Sequence, residues 1–334
     1  MTNSGALLMV GLPGHELDDS TRQLIGAEGI SNFILFSRNV AGPAQLQKLC
    51  ADLASACAAH NLPRPLISID QEGGSVTRLP EPWTQFPDAR LLAESGNPKQ
   101  ALTDAAITCC RELRETGINL NMAPVLDVCP RGQGYFMERR ALGGDPATVA
   151  RLGVMVIEEM QKSGVAACAK HFPGLGAAQL DPHLVLPTVD RERSRLLSED
   201  LLPFRAAAQA GVAAIMTSHT IYRNLDPDHP ATLSTQILTG ILRNDLDYNG
   251  LIITDDLEMG AIENEMTVAE AALKSFRAGA DLLLICQNHD KIRATIALFN
   301  KALQDGHISK PQIKAAVTRI NKVRDNFPIE DNLP

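Results

Sequence analysis

Two segments concentrate the groups that could do chemistry. Lys170-His171-Phe172-Pro173-Gly174-Leu175-Gly176 runs on to Asp181-Pro182-His183, and Leu251-Ile252-Ile253-Thr254 ends in Asp255-Asp256-Leu257-Glu258-Met259. Together they hold carboxylates, a lysine and two imidazoles, a set sufficient for acid–base and nucleophilic catalysis with no cofactor. Asp181 stands two residues before His183, where it can accept an imidazole N–H and raise the ring's basicity. That spacing alone is a weak signal; it gains weight beside the Lys-His-Phe-Pro-Gly run. Lys170 has three readings: a Schiff-base amine, a donor to substrate, or the buried partner of an aspartate. Neighbours in a strand point to opposite faces. Only one of Asp255 and Asp256 is therefore expected to face a central site, with the other capping the next turn or positioning the first.

A third segment, Asp70-Gln71-Glu72-Gly73-Gly74-Ser75-Val76-Thr77-Arg78, opens with an acid and returns to a cation. Its Gly-Gly permits a sharp turn that could bring Arg78 back beside Asp70. It lacks G-x-G-x-x-G spacing and is not read as a phosphate loop. Arg139-Arg140 reads either as a solvated basic pair or as a substrate clamp.

These groups need elements to position them. Apolar runs at Ala6–Leu12, Asn32–Ser37, Leu66–Asp70, Leu120–Val128, Ala166–His171, Ala213–His219, Leu251–Asp255 and Asp281–Cys286 read as strands buried on both faces. Amphipathic helices alternate with them. Asp145-Pro146 marks a helix start and Gly164 its end; Thr267/Glu270 and Ser309/Gln312 are capping boxes. Eight β-then-α units with no linker predict one (β/α)₈ barrel spanning the chain, without a second C-terminal domain; a doubly wound sheet is the alternative. Strands three to seven end in Asp70, Asp127, Lys170-His171, Ser218-His219 and Asp255. In a barrel these converge on the C-terminal mouth, where barrel active sites lie.

In order along the chain, D-Q-E-G-G-x-V-x-R (Asp70–Arg78), N-x-x-P-V-L-D-V (Asn121–Val128), K-H-F-P-G-x-G (Lys170–Gly176), D-x-H (Asp181–His183) and T-D-D-L-x-M (Thr254–Met259) resemble glycoside hydrolase family 3. The likeness is strongest to its single-domain bacterial β-N-acetylglucosaminidases of peptidoglycan recycling. The resemblance implies Asp255 as nucleophile, His183 as general acid/base and Asp181 as its partner. It also implies Asp70, Arg78, Arg140, Lys170 and His171 as sugar-binding residues, a carbohydrate substrate, and no metal or cofactor. A retaining two-step displacement through a glycosyl-enzyme follows. There are departures: Leu175 stands where the family usually has a second histidine, Pro182 where serine is common, and Ser75 where arginine or lysine is common.

Three other activities fit parts of this pattern: a phosphorylase in which phosphate resolves the intermediate, a Schiff-base aldolase using Lys170, and a non-catalytic sugar-binding relic. The net charge of −8 over 334 residues leaves no basic footprint for nucleic acid or anionic membranes. No signal-peptide pattern opens the sequence, and no apolar run approaches the ~20 residues of a membrane span. The seven cysteines sit inside apolar patterns, which reads as reduced core residues in the cytoplasm. A monomer is the simplest oligomeric expectation.

Overall fold

Continuous apolar runs such as Leu282-Leu283-Leu284-Ile285 have no polar face to turn to water, so they become strands covered on both sides. The computed structural model describes residues 4–178 and 186–329. Eight parallel strands close into a barrel: β1 Leu8–Gly11, β2 Asn32–Leu35, β3 Leu66–Ile69, β4 Leu120–Asn121, β5 Ala166–Phe172, β6 Ala214–Thr217, β7 Leu251–Asp256 and β8 Leu282–Ile285. Each strand pairs with its sequence neighbours, and β1 pairs with β8 through Leu8 opposite Leu283. That closure excludes the doubly wound sheet.

Helices cover the outside of the barrel, with ends where the sequence placed them. The Asp145 side chain accepts from Thr148 N at the start of Pro146–Lys162, and Gly164 at φ +84° lets the chain leave. Thr267/Glu270 and Ser309/Gln312 form reciprocal capping boxes. All seven cysteines are free and buried. Among the described residues, no helix is long and apolar enough to cross a membrane.

Two expectations need correction. The fourth strand was expected to run from Leu120 to Val128, yet ladder pairing stops at Asn121. Pro124 has no N–H to donate to a ladder. The segment still follows β5, with Cys168 N donating to Ala123 O and Leu126 N to Lys170 O. A short parallel pair, Thr188–Val189 with Ile221–Tyr222, was not foreseen. Two-residue strands carry no periodicity to read.

The barrel's two ends are built differently. At the N-terminal end Asp281 is 2% exposed; its carboxylate accepts from Ile252 N at 2.9 Å and pairs with Arg243 and Arg319. One acid thereby joins the starts of β7 and β8 to two flanking helices. Removing one partner of a buried ion pair leaves its mates uncompensated. Asp281→Ala is therefore expected to lower unfolding free energy by about 3 kcal/mol or more, with little change in kcat of the folded fraction. Urea unfolding followed by circular dichroism checks it; a loss under about 1 kcal/mol would show that the triad contributes little.

Candidate active site

At the C-terminal mouth the strand-end residues converge. Asp70, Arg78, Arg140, Lys170, His171, Asp255 and Asp256 line one cleft of about 240 Å³, walled by Ile34, Phe36, Met216, Met259 and Leu284. Asp181 and His183 lie outside the described residues.

The polar groups form a chain of alternating charge. Lys170 Nζ stands 2.7 Å from both Asp70 Oδ1 and Glu72 Oε1. Glu72 also meets Arg140 fork to fork, at 2.7 Å and 2.9 Å. Arg78 Nη2 lies 3.5 Å from Asp70 Oδ2. Lys170 is 2% exposed, so burial opposes its charge, but the two carboxylates outweigh burial and raise its pKa above the usual lysine value. The Lys170 ammonium is thus held as a cation between two carboxylates, which favours the reading as a buried partner of an aspartate over the Schiff-base one. Burial likewise pushes Glu72 up, but Lys170 and Arg140 overcome it and hold the carboxyl at about 2. Asp70 is also held below the carboxylate range, with Lys170 and Arg78 outweighing its burial.

Local sequence explains each placement. After β3 the chain turns at Gly73 (φ +104°) and Gly74 (φ +56°). A Cβ on Gly74 would stand 1.8 Å from Asp88 Oδ1, so only glycine fits. Val76 folds back to bridge Gly73, which returns Arg78 to the mouth as expected. Asn121 fixes the loop's base by accepting from Gln71 N and donating to Gln71 O. The Arg139-Arg140 pair divides. Arg139 is a surface residue bonded to Asp88, while Arg140 turns inward to Glu72. Buried Arg90 holds the backbone of their loop by donating to Glu138 O and Cys129 O.

His171 is oriented by Asp127. The Asp127 carboxylate is fully buried, accepts from His171 N and Leu175 N, and stands 2.8 Å from His171 Nδ1. This geometry places the proton on Nδ1 and leaves Nε2 as the ring's other polar atom. Leu175 is buried and meets Asp127 through its backbone, so this interaction does not depend on the side chain at that position.

Both Asp255 and Asp256 reach the cleft, against the expectation that only one would. Leu282 pairs with Ile253 but Leu284 with Asp256, so three residue steps on β7 face two on β8. This bulge re-aims the end of the strand. A second register shift lies between Ala169 and Phe172, at Lys170-His171, where the peptide bond is cis. The rest of the expectation holds. Asp256 Oδ1 accepts from Glu258 N, capping the next turn, and Asp256 N donates to Asp255 Oδ1. Burial pushes the Asp256 carboxyl up to about 7.

Three residues were under-read from sequence. Glu72 was seen only as part of a turn, although it links Lys170 to Arg140. Asp127 and His219 were recognised as strand ends, but they brace other groups. His219 is 1% exposed; Nε2 donates to Asp256 O and Nδ1 lies 2.8 Å from Thr232 Oγ1. No group of three metal-ligating side chains occurs among the described residues.

Fixed cations, fixed acceptors and a carboxylate at a strand end suit a polyhydroxylated substrate attacked at one carbon. Residues 3–323 match the glycosyl hydrolase family 3 N-terminal domain. The chain belongs to glycosyl hydrolase family 3 and is a glycosidase. It is 37% identical over 296 residues to a beta-hexosaminidase of Alkalilimnicola ehrlichii, covering 86% of this chain and 83% of the relative. A family 3 β-N-acetylglucosaminidase from Paenibacillus sp. str. FPU-7 superposes with a TM-score of 0.94 at 38% identity, covering 99% of this chain and 63% of that one. A β-N-acetylhexosaminidase from Beutenbergia cavernae gives 0.89 at 28% identity, covering 97% and 98%.

The depressed Glu72 pKa has a measurable consequence. Its contribution to stability is present above the ordinary value of 4.5 and is lost as pH falls towards about 2. Relative to wild type, Glu72→Gln should flatten the fall in unfolding free energy between about pH 5 and pH 2, by an amount on the order of 3 kcal/mol. Denaturation midpoints measured across that range check it; identical slopes would mean that Glu72 is not held ionised by its neighbours.

Proposed function

We propose that this chain is a retaining β-N-acetylhexosaminidase that releases terminal β-linked N-acetylglucosamine from peptidoglycan-derived or chito-oligosaccharide substrates. The observation that carries the reading is Asp255. It stands one residue before the end of β7, in a cleft where Asp70, Lys170, Arg78 and Arg140 are held in ionic partnerships. The names of the similar proteins support the sugar and the linkage. Asp70 accepts from sugar hydroxyls, while Lys170, Arg78, Arg140 and His171 donate to or orient them. Asp255 attacks the anomeric carbon as His183 protonates the leaving oxygen. Water deprotonated by His183 then releases the sugar from Asp255.

A histidine acid/base suits this cleft. Asp70 and Glu72 are held as anions by cations and have no proton to give. An imidazole titrates near neutrality and adds no second negative charge beside Asp255. Asp181 stabilises the imidazolium.

Two experiments test the assignment. A 5-fluoro N-acetylglucosaminyl inactivator should label Asp255, and Asp255→Ala should lose ~10⁴-fold or more in kcat while retaining its fold and sugar binding. Labelling of Asp256, with Asp255→Ala still active, would reverse the pair. His183→Ala should lose about 10²-fold or more on a natural disaccharide and far less on a dinitrophenyl glycoside, whose leaving group needs little protonation. One limb of the pH profile should vanish with it. If Asp256→Asn shows that pattern instead, the proton comes from Asp256.

A further inference from the structure

The turn that follows β7 is held by a carboxylate that neither the ion-pair chain nor the chemistry above uses. Glu258 follows Asp255 by three residues, and its side chain is 4% exposed. The carboxylate accepts from Gln287 N at 2.6 Å and from Asn288 N at 3.2 Å and 3.3 Å, and Lys291 Nζ lies 3.2 Å from its Oε1. Asn288 caps the helix His289–Gln304, so Glu258 sits at the positive end of that helix. Two backbone amides and an ammonium on one carboxylate make charge-assisted bonds, which are stronger and more directional than neutral ones.

From Glu258 the hydrogen bonds lead back to Asp255. Glu258 N donates to Asp256 Oδ1 at 3.1 Å, and Asp256 N donates to Asp255 Oδ1 at 2.9 Å. Met259 N closes the same turn on Asp256 O at 3.1 Å. The bulge breaks regular pairing between β7 and β8 just before this turn, so side chains take over the work of fixing it. His219 holds the Asp256 carbonyl from the loop after β6, and Glu258 holds the turn from the start of the helix after β8. The bond to Gln287 N also fixes the backbone of a residue that lines the cleft. Attack at one carbon is sensitive to such placement, since a shift of about 1 Å in a reacting group can cost ~10²-fold in rate.

We propose that Glu258 is a positioning residue for the nucleophile: it clamps the turn after β7 to the start of the helix His289–Gln304 and so sets where the Asp255 carboxylate stands, a role that rests on the reading of Asp255 as nucleophile. Glu258 itself does not line the cleft, so its substitution leaves the sugar's partners in place. Glutamine at position 258 keeps an oxygen for the two amides but loses the charge that faces Lys291. Alanine loses both.

The test is inactivation by a 5-fluoro N-acetylglucosaminyl reagent carrying a dinitrophenyl leaving group. That leaving group needs little protonation, so the rate constant at saturating reagent reports attack by the nucleophile. We expect it to fall about tenfold or more in Glu258→Ala and several-fold in Glu258→Gln, with the half-saturating concentration held within about twofold. Label incorporated per chain, read by mass spectrometry, counts the competent fraction. A merely structural role would lower that count and leave the rate constant of the labelled chains unchanged, which would overturn the proposal. Should Glu258→Ala fail to fold, Glu258→Gln is read the same way, and a fall of less than about twofold overturns it. The wild-type label separates the two claims. Label on Asp255 with an unchanged rate constant in the variants sinks only the positioning role; label on another residue sinks the nucleophile reading, and the positioning role with it.

Discussion

The mouth of this barrel depends on a lysine ammonium buried to 2% exposure. An unpaired charge there would be prohibitively costly, so Lys170 needs carboxylates on opposite sides at hydrogen-bond distance. Asp70 comes from the end of β3, Glu72 from the Gly-Gly turn, and Arg140, which completes Glu72, from the loop after β4. One desolvated cation thereby fixes the relative positions of three elements. Such a chain is no better for stability than well-packed apolar side chains would be. Its advantage is geometric, because it leaves donors and acceptors at fixed points where a sugar can meet them without reorganisation. Its charges are also uneven. Arg78, Lys170 and Arg140 face only Asp70 and Glu72 in this chain, while Arg38, Asp255 and Asp256 share the cleft outside it.

Much of this was legible because the sequence places abrupt charge after apolar runs. Asp70, Lys170, His171 and Asp255 each end such a run, and parallel strands in one barrel bring such ends together. Arg78 was legible through the Gly-Gly turn that returns it. Glu72 was not, since a glutamate before two glycines looks the same whether it faces solvent or a buried lysine. Its meaning lies in a contact across about a hundred residues of chain, and one sequence does not show that. The bracing roles of Asp127 and His219 were hidden for the same reason, although their positions were seen. Asp256 was misplaced because alternation assumes a regular strand, and β7 is bulged where the chemistry sits. The fourth strand was drawn too long because hydrophobicity persists past Asn121 while the missing N–H of Pro124 ends the ladder.

The two register shifts and the Asp281 triad show how the barrel separates its tasks. At the N-terminal end Asp281 joins the starts of β7 and β8 by accepting from Ile252 N while facing Arg243 and Arg319. At the C-terminal end the same strand β7, and β5 across β6, break register where Asp255 and Lys170 emerge. A regular strand would send alternate residues into the helical layer. A bulge lets consecutive residues share one cleft, at the loss of ladder regularity. The irregular ends are held by side chains instead: His219 on the Asp256 carbonyl, Asp127 on His171 and Leu175.

The same compensation limits what the cleft can do by itself. A group that gives a proton in one step and takes it back in the next must change charge within the working pH range. Glu72 and Asp70 are locked as anions by their cations, and Lys170 as a cation by its anions. His171 is tied through Nδ1 to Asp127, whereas burial pushes the Asp256 carboxyl up to about 7, inside that range. Asp70, Glu72 and Lys170, locked in one charge state, bind and orient well but are poorly suited to shuttling a proton. Rigid recognition and reversible proton transfer therefore favour different parts of the chain. Under the proposed function, the imidazole of His183 meets the second need without loosening the first.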